Sequence, residues 1–381
     1  MLFGAHVYLA TRLVDEPGVP APWRGGLWLA IGLGAFLVLL QPIAERWFPP
    51  RVARCIAWPA SLWMGFAFLL LVQLLLTDVV LGLIGLGLGS VDGGLGEPEF
   101  VSRLRAALVV GVAGCAGLVG LRIGLGPPVL VREEIPLARW PVALDGLRIA
   151  QISDIHIGPI RGRRFAEQLT RRVNALGADI IAITGDLVDG NVERIGGDVE
   201  PFGALHAPLG VYFVTGNHDY FSGARDWTDK VRELGLRVLR NERVSIETRG
   251  AGFDLVGVDD HRGDFWGGEG REDLEAALAG RDPERAALLL AHDPATFVGA
   301  AKRGIDLQLS GHTHGGQIFP FGLLVRLATP FVAGRYRRGD AEIYVSRGTG
   351  FWGPPMRLFS PAEITEIVLR AGESGPPAGT R

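Results

Sequence analysis

From Gly25 to Ala44, and again from Ala57 to Thr77, the sequence contains no charged side chain. A helix rises 1.5 Å per residue, so about 20 such residues cross the roughly 30 Å of a bilayer core. This feature argues against a wholly water-soluble fold for the N-terminal third, because uncharged apolar runs of about 18 residues or more are the membrane pattern. A third run, Ala106 to Leu121, lies between Arg105 and Arg122. It is short for a span, although arginine stems can snorkel to the interfaces. Met1 to Ala10 is a candidate fourth, incomplete span; it lacks the basic start and small-residue cleavage site of a secretory leader. The expected membrane region is residues 1–125, with helices near 25–44, 57–80 and 105–122, and a fourth if the N-terminal stretch joins them. Asp78 is the one carboxylate inside an apolar run and is placed at a helix end rather than on a proton path.

Arginines in the short loops set the expected orientation. Arg46, Arg51, Arg54, Arg122, Arg132 and Arg139 fall on one side, and Arg12, Arg24, Arg103 and Arg105 on the other. Six against four favours a multi-pass protein in the cell membrane with its C-terminal domain in the cytoplasm. The remaining composition excludes several classes. The chain is 48% hydrophobic with a mean hydropathy of +0.25, so it is not a disordered protein. Its 38 basic and 41 acidic residues leave a formal charge of −3, and no basic excess points to nucleic acid. Two cysteines, Cys55 and Cys115, cannot make a disulfide scaffold and read as packing residues.

Gly126-Pro127-Pro128 ends any helix, and residues 126–146 read as a connector. From Leu147 short apolar runs alternate with amphipathic stretches, the texture of an α/β domain over residues 147–370. Strands are expected at 147–152, 179–184, 210–215, 253–258, 286–291, 305–309, 341–345 and 363–369, with a helix over 163–176. Residues 371–381 read as a disordered tail.

The chemistry falls at the ends of these strands. In chain order they are followed by Asp154-Ile155-His156, Gly185-Asp186-Leu187-Val188-Asp189, Gly216-Asn217-His218-Asp219, His292-Asp293 and Gly311-His312-Thr313-His314. In α/β sheets, ligands bind beyond the carboxyl ends of strands. Of the chain's 8 histidines, His156, His218, His292, His312 and His314 lie in these turns. His206 and His261 have no such context and read as surface histidines. Each motif alone has an ordinary turn reading; the ordered set does not. Imidazole and carboxylate donors without thiolate suit Mn, Fe, Zn, Co or Mg. The donors exceed the needs of one ion and suit two divalent metal ions sharing a bridging carboxylate.

This ordered pattern, Asp-x-His, Gly-Asp-x-x-Asp, Gly-Asn-His-Asp, a lone His and Gly-His-x-His, resembles the calcineurin-like metallophosphoesterases over about Leu147 to Leu369. It looks most like their bacterial membrane-anchored branch, on Gly311-His312-Thr313-His314-Gly315-Gly316-Gln317, Ser346-Arg347-Gly348 and Pro355-Met356-Arg357. The resemblance implies a four-layer α/β sandwich, two mixed sheets face to face with helices outside. It implies that Asp154, His156, Asp186 and His314 hold one metal, and that Asp186, Asn217, His292 and His312 hold the other. His218 would be a non-ligand histidine serving the phosphoryl group or the leaving group. Asp219 and Asp293, adjacent to ligands, are candidates for orienting imidazoles.

The expected activity is hydrolysis of a phosphate ester or pyrophosphate by metal-activated hydroxide. A membrane anchor favours a lipid-linked substrate; similar membrane-tethered relatives act on UDP-diacylglucosamine. The alternative is a phosphodiesterase on a soluble or cyclic-nucleotide substrate. An alternative of another class is a non-catalytic metal-binding membrane module, against which a non-ligand His218 argues.

Overall fold

The computed structural model describes residues 2–88, 98–261, 263 and 270–372. The chain divides into two compact units: Met1–Leu125 with Gly353–Leu358, and Gly126–Trp352 with Phe359–Arg381.

The first unit is helical, with α1 (Leu2–Ala10), α2 (Ala21–Trp47), α3 (Pro50–Leu88) and α4 (Pro98–Leu125). Three stretches, Ala21–Trp47, Pro50–Ile84 and Glu99–Leu125, are long and apolar enough to cross a membrane. Asp78 sits inside α3 rather than at a helix end. Arg12 and Arg105 each lie 2.7 Å from its carboxylate, and the same two arginines pair with Glu16 at 2.5 and 2.6 Å. Two cations and two anions cancel, which is the condition for keeping ionised groups among apolar helices. Gly353–Leu358 belongs to this unit. The Arg357 N–H donates to Gly120 O at 2.9 Å, and a Cβ on Gly124 would fall 2.5 Å from Pro355 O, so only glycine permits that approach.

The second unit holds two six-stranded mixed sheets. Its strands are β1 (Val129–Leu137), β2 (Arg148–Ile152), β3 (Ile180–Thr184), β4 (Val211–Val214), β5 (Arg237–Val238), β6 (Glu242–Thr248), β7 (Ala251–Gly257), β8 (Ala287–Leu290), β9 (Leu307–Ser310), β10 (Gly334–Arg338), β11 (Ala341–Val345) and β12 (Glu363–Ala371). One sheet runs β1-β12-β2-β3-β4-β5 and the other β10-β11-β9-β8-β7-β6. The helices are α5 (Arg163–Asn174), α6 (Val192–Val199), α7 (Asn217–Phe221), α8 (Ala224–Glu233), α9 (Leu274–Leu278), α10 (Phe297–Ala301) and α11 (Phe321–Ala328).

Side chains alternate across a strand, so each central strand feeds two cores. Ile149, Ile180 and Ala182 of the first sheet meet Leu255, Leu288 and Leu307 of the second in the layer between sheets. Their neighbours Ala150, Ile181 and Ile183 turn outward to Leu169, Val173 and Trp227 of α5 and α8. On the far side, Val256 and Leu289 pack on Leu274 and Ala277 of α9 and on Ala300 of α10. Helices, sheet, sheet and helices make the four-layer sandwich. Parallel pairing of β2-β3-β4 and of β7-β8-β9 points the carboxyl ends within each run the same way. The Gln151 side chain bridges the sheets, donating to Ser310 O at 2.9 Å and Thr184 Oγ1 at 3.0 Å.

Two expected boundaries differ. The connector over 126–146 contains β1, which pairs in parallel with β12 and buries Ile135 and Leu137 completely. Ala371, the first residue of the expected tail over 371–381, pairs with Leu137 in the sheet; residues 373–381 lie outside the described residues.

Candidate metal centre

The turns after β2, β3 and β9 bend abruptly, and the bend is recorded in the backbone. Asp154, His156, Asp186, His312 and His314 all have φ between 50 and 72°, the left-handed region that non-glycine residues avoid. Such a conformation costs on the order of 1–3 kcal/mol per residue and persists only where the surroundings enforce it. Five together are a large outlay against a typical net stability of about 5–15 kcal/mol. The strain is concentrated where chemistry is placed. Gly185, φ 87°, leads into Asp186, and a Cβ there would meet His292 Nδ1 at 2.5 Å.

The first sheet supplies Asp154, His156, Asp186, Asn217 and His218; the second supplies His292, His312 and His314. They form two triads whose ligand atoms lie within 4.8 Å of one another: Asp154, His156 and His314, and Asp186, His292 and His312. In the first, His156 Nε2 is 3.2 Å from His314 Nε2, which is 3.3 Å from Asp154 Oδ1. In the second, His292 Nε2 is 3.1 Å from Asp186 Oδ2, and His312 Nδ1 is 3.3 Å from His292 Nε2 and 3.0 Å from Asn217 Oδ1. Asp186 Oδ2 is also 3.8 Å from His156 Nε2, so this carboxylate faces both triads.

The surroundings fix which ring nitrogens converge. His292 Nδ1–H donates to Thr184 O at 2.8 Å, turning Nε2 to Asp186. His156 Nδ1–H donates to Asp189 at 3.0 Å, leaving the Nε2 lone pair aimed at His314. Two nitrogen ligands of one tetrahedral ion, each at roughly 2.0–2.1 Å, stand about 3.3 Å apart, so the spacings in both triads fit a cation. Asp154 accepts the His312 N–H at 3.0 Å, and Asp186 accepts the His218 N–H at 2.8 Å, which locks both carboxylates.

His218 lies outside those two triads; with His156 and Asp189 it forms a third cluster of the same kind, its ring 4.8 Å from that of His156. Its Nδ1–H donates to Asp189 Oδ1 at 2.7 Å, and its ring lies beside the half-exposed Phe221 and Trp352, with centroids 5.5 and 6.0 Å away. Burial disfavours the imidazolium, but Asp186 and Asp189 outweigh it and push its pKa up to about 9. Asp189 moves the other way: burial opposes its charge, and His156 and His218 hold it below the usual carboxylate range.

Asp189 is the residue that sequence reasoning passed over. One carboxylate orients both His156 and His218, and the signal was present as the last position of Gly-Asp-x-x-Asp. The two aspartates expected to orient imidazoles do otherwise. Asp219 accepts backbone N–H groups of Asp186, Leu187 and Gly216 at 2.8–3.0 Å, and so shapes the loop. Asp293 accepts from Ala295 N at 2.8 Å and stays 4.0 Å from His312 Nε2. His206 is exposed and remote from this cluster, while His261 pairs with Glu272 at 2.7 Å.

Comparison with known proteins bears on the family of the chain. The calcineurin-like phosphoesterase family model matches residues 147–316. A Bos taurus protein named "Transmembrane protein with metallophosphoesterase domain" is 41% identical over 280 residues, 70% of this chain and 63% of its own length. A Danio rerio protein of the same name is 37% identical over 290 residues, covering 74% and 65%. An Aquifex aeolicus protein named "Uncharacterized metallophosphoesterase" is 35% identical over 226 residues, covering 59% of this chain and 85% of its own. The chain thus spans less than two thirds of the two vertebrate proteins and most of the Aquifex one. It associates with membranes through its apolar helices, and it belongs to the calcineurin-like metallophosphoesterases.

Proposed function

We propose that the protein is a multi-pass membrane enzyme that hydrolyses a phosphate ester or pyrophosphate, on a lipid-linked substrate, with two divalent ions. The observation that carries this reading is the pair of ligand triads facing the carboxylate of Asp186, with His218, hydrogen-bonded to Asp189, outside both. Asp154, His156, Asp186 and His314 would hold one ion; Asp186, Asn217, His292 and His312 the other. Bound there, the ions supply Lewis acidity that generates hydroxide from water near neutral pH and neutralises phosphoryl oxygens. Mn, Fe, Zn, Co and Mg all suit these oxygen and nitrogen donors.

The chain's own residues do the rest. His218, its Nδ1–H on Asp189, keeps a proton on Nε2 and delivers it to the departing oxygen. Asp189 fixes the ring's direction and stabilises its charge, and the same carboxylate sets His156. Phe221 and Trp352 form an apolar rim beside His218, suited to a substrate with an acyl or prenyl portion. The arginine distribution favours the cytoplasmic side.

The test uses the full chain in lipid nanodiscs, stripped of metal and re-supplied with Mn²⁺. Substrates are an aryl phosphodiester and a UDP-diacylglucosamine-type lipid pyrophosphate, with Asp186→Ala and His218→Ala as controls. Metal-dependent turnover lost in both variants, with preference for the lipid, is the expected result. Preference for the aryl diester would assign a soluble substrate. No turnover on either with two ions bound would overturn hydrolysis and leave a metal-binding membrane module.

A further inference from the structure

α11 follows the Gly-His-x-His turn, and none of its eight residues, Phe-Gly-Leu-Leu-Val-Arg-Leu-Ala, is buried. An amphipathic helix on a soluble domain hides one apolar stripe; here only Gly322 and Val325 are half-buried and the other six residues are exposed. Leu323, Leu324 and Leu327 are exposed, Leu327 at 84%. The flanking Phe319 and Phe359 are exposed too, the latter at 87%, and their rings pack edge to face at 5.8 Å. A contiguous apolar surface of this kind marks an interaction site rather than ordinary solvent-facing chain.

The patch adjoins the candidate metal centre. A Cβ on Gly316, two residues past His314, would fall 2.3 Å from Gly322 Cα, so the start of α11 rests directly on that turn. Gln317 exchanges two hydrogen bonds with the Trp352 backbone, at 2.8 and 2.9 Å, and the Trp352 ring flanks His218.

We propose that α11 with Phe319 and Phe359 is a lipid-docking surface that seats the mouth of the site at the bilayer interface. Two observations select lipid over a protein partner. The chain carries three helices long and apolar enough to cross a membrane, which would keep a lipid surface tethered to this domain. Phe359 is also covalently adjacent to Leu358, which belongs to the helical unit and packs near Gly120 of α4. Arg326, the one charged residue of α11, has a stem long enough to reach headgroups while its neighbours enter the acyl boundary.

The test needs no turnover, so it stands apart from the hydrolase reading. Leu327→Cys is made in the full chain with Cys55 and Cys115 replaced by alanine, labelled with an environment-sensitive nitrobenzoxadiazole dye, and placed in nanodiscs. Arg249→Cys, at the exposed β6–β7 turn, is the reference. The expected result is blue-shifted emission at 327 and at least twofold stronger quenching there than at 249 by lipids carrying a doxyl group on the acyl chain. Phe359→Cys gives the same readout if the label at 327 disturbs folding. Emission and quenching equal to those at 249 would overturn the proposal. So would a blue shift without lipid quenching, which would mean that a protein surface, a second copy included, covers the helix.

Discussion

The two ligand triads of the site are built to different degrees of closure. Asp154, His156 and His314 are all buried, and His156 is held from behind by Asp189. In the other triad Asp186 and His292 are buried, but the His312 side chain is 32% exposed, and its nearest second carboxylate, Asp293, is 4.0 Å away. The first triad is buried and held by Asp189 behind His156 and by the His312 N–H on Asp154. The second has a partly exposed edge at His312 and Asn217. Asp186, a member of the second, also faces His156 of the first at 3.8 Å.

Several measurements on the full chain would break or sharpen this contrast. The largest effect belongs to the shared carboxylate. Asp186→Asn should lower bound metal in both triads and reduce turnover by more than about 100-fold, the upper range for removing a mere orienting partner. Metal analysis showing one ion retained at full occupancy would mean that the triads are independent. His218→Ala should cost about 10²–10⁴-fold in turnover with metal content unchanged. The loss should shrink for aryl esters, whose leaving groups need no proton.

Asp189→Asn should cost about 10–100-fold and should lower affinity at the closed triad more than at the open one. Equal weakening of both, by metal titration, would remove the distinction. Chelation should be biphasic, the ion at the open triad leaving first, and His312→Gln should speed only that phase. The smallest effect lies outside the centre. Its hydrogen bond to Glu272 raises the His261 pKa above the ordinary histidine value, with burial opposing. A raised histidine pKa gives stability that is complete below about pH 6.5 and is lost as pH climbs through the folded value. Wild type should therefore exceed His261→Gln in thermal midpoint near pH 6, and the gap should narrow as pH rises from there.

What the sequence disclosed follows a physical divide between the middle and the rims of the sheets. Every central strand was legible, because β2, β3, β4, β8, β9 and β11 are buried on both faces and read as apolar runs. The four strands that escaped are β1, β5, β6 and β10, the outer strand on each side of both sheets. Edge strands carry charge that discourages pairing with other chains. Arg132, Glu133 and Glu134 in β1, and Arg335, Arg337 and Arg338 in β10, make such segments look like loops. The site residues were legible because glycines and histidines punctuate the strand ends. The partnership of Asp189 with two histidines was not, since direction in space is absent from spacing. Asp78 was misplaced because its partners Arg12 and Arg105 are remote in sequence.

The short segment Gly353–Leu358 imposes an order on biogenesis. It completes the packing around Gly65, Gly120 and Gly124 of the helical unit, yet a ribosome reaches it only after β1 through β11. The helices can enter the bilayer early, but their bundle stays unfinished until nearly the whole α/β unit has been made. A chain cut after α4 would leave those glycines uncovered, and one begun at β1 would leave Met356 and Leu358 without the glycines they cover. The two halves of this protein can be told apart by eye, but they cannot be synthesised as finished parts.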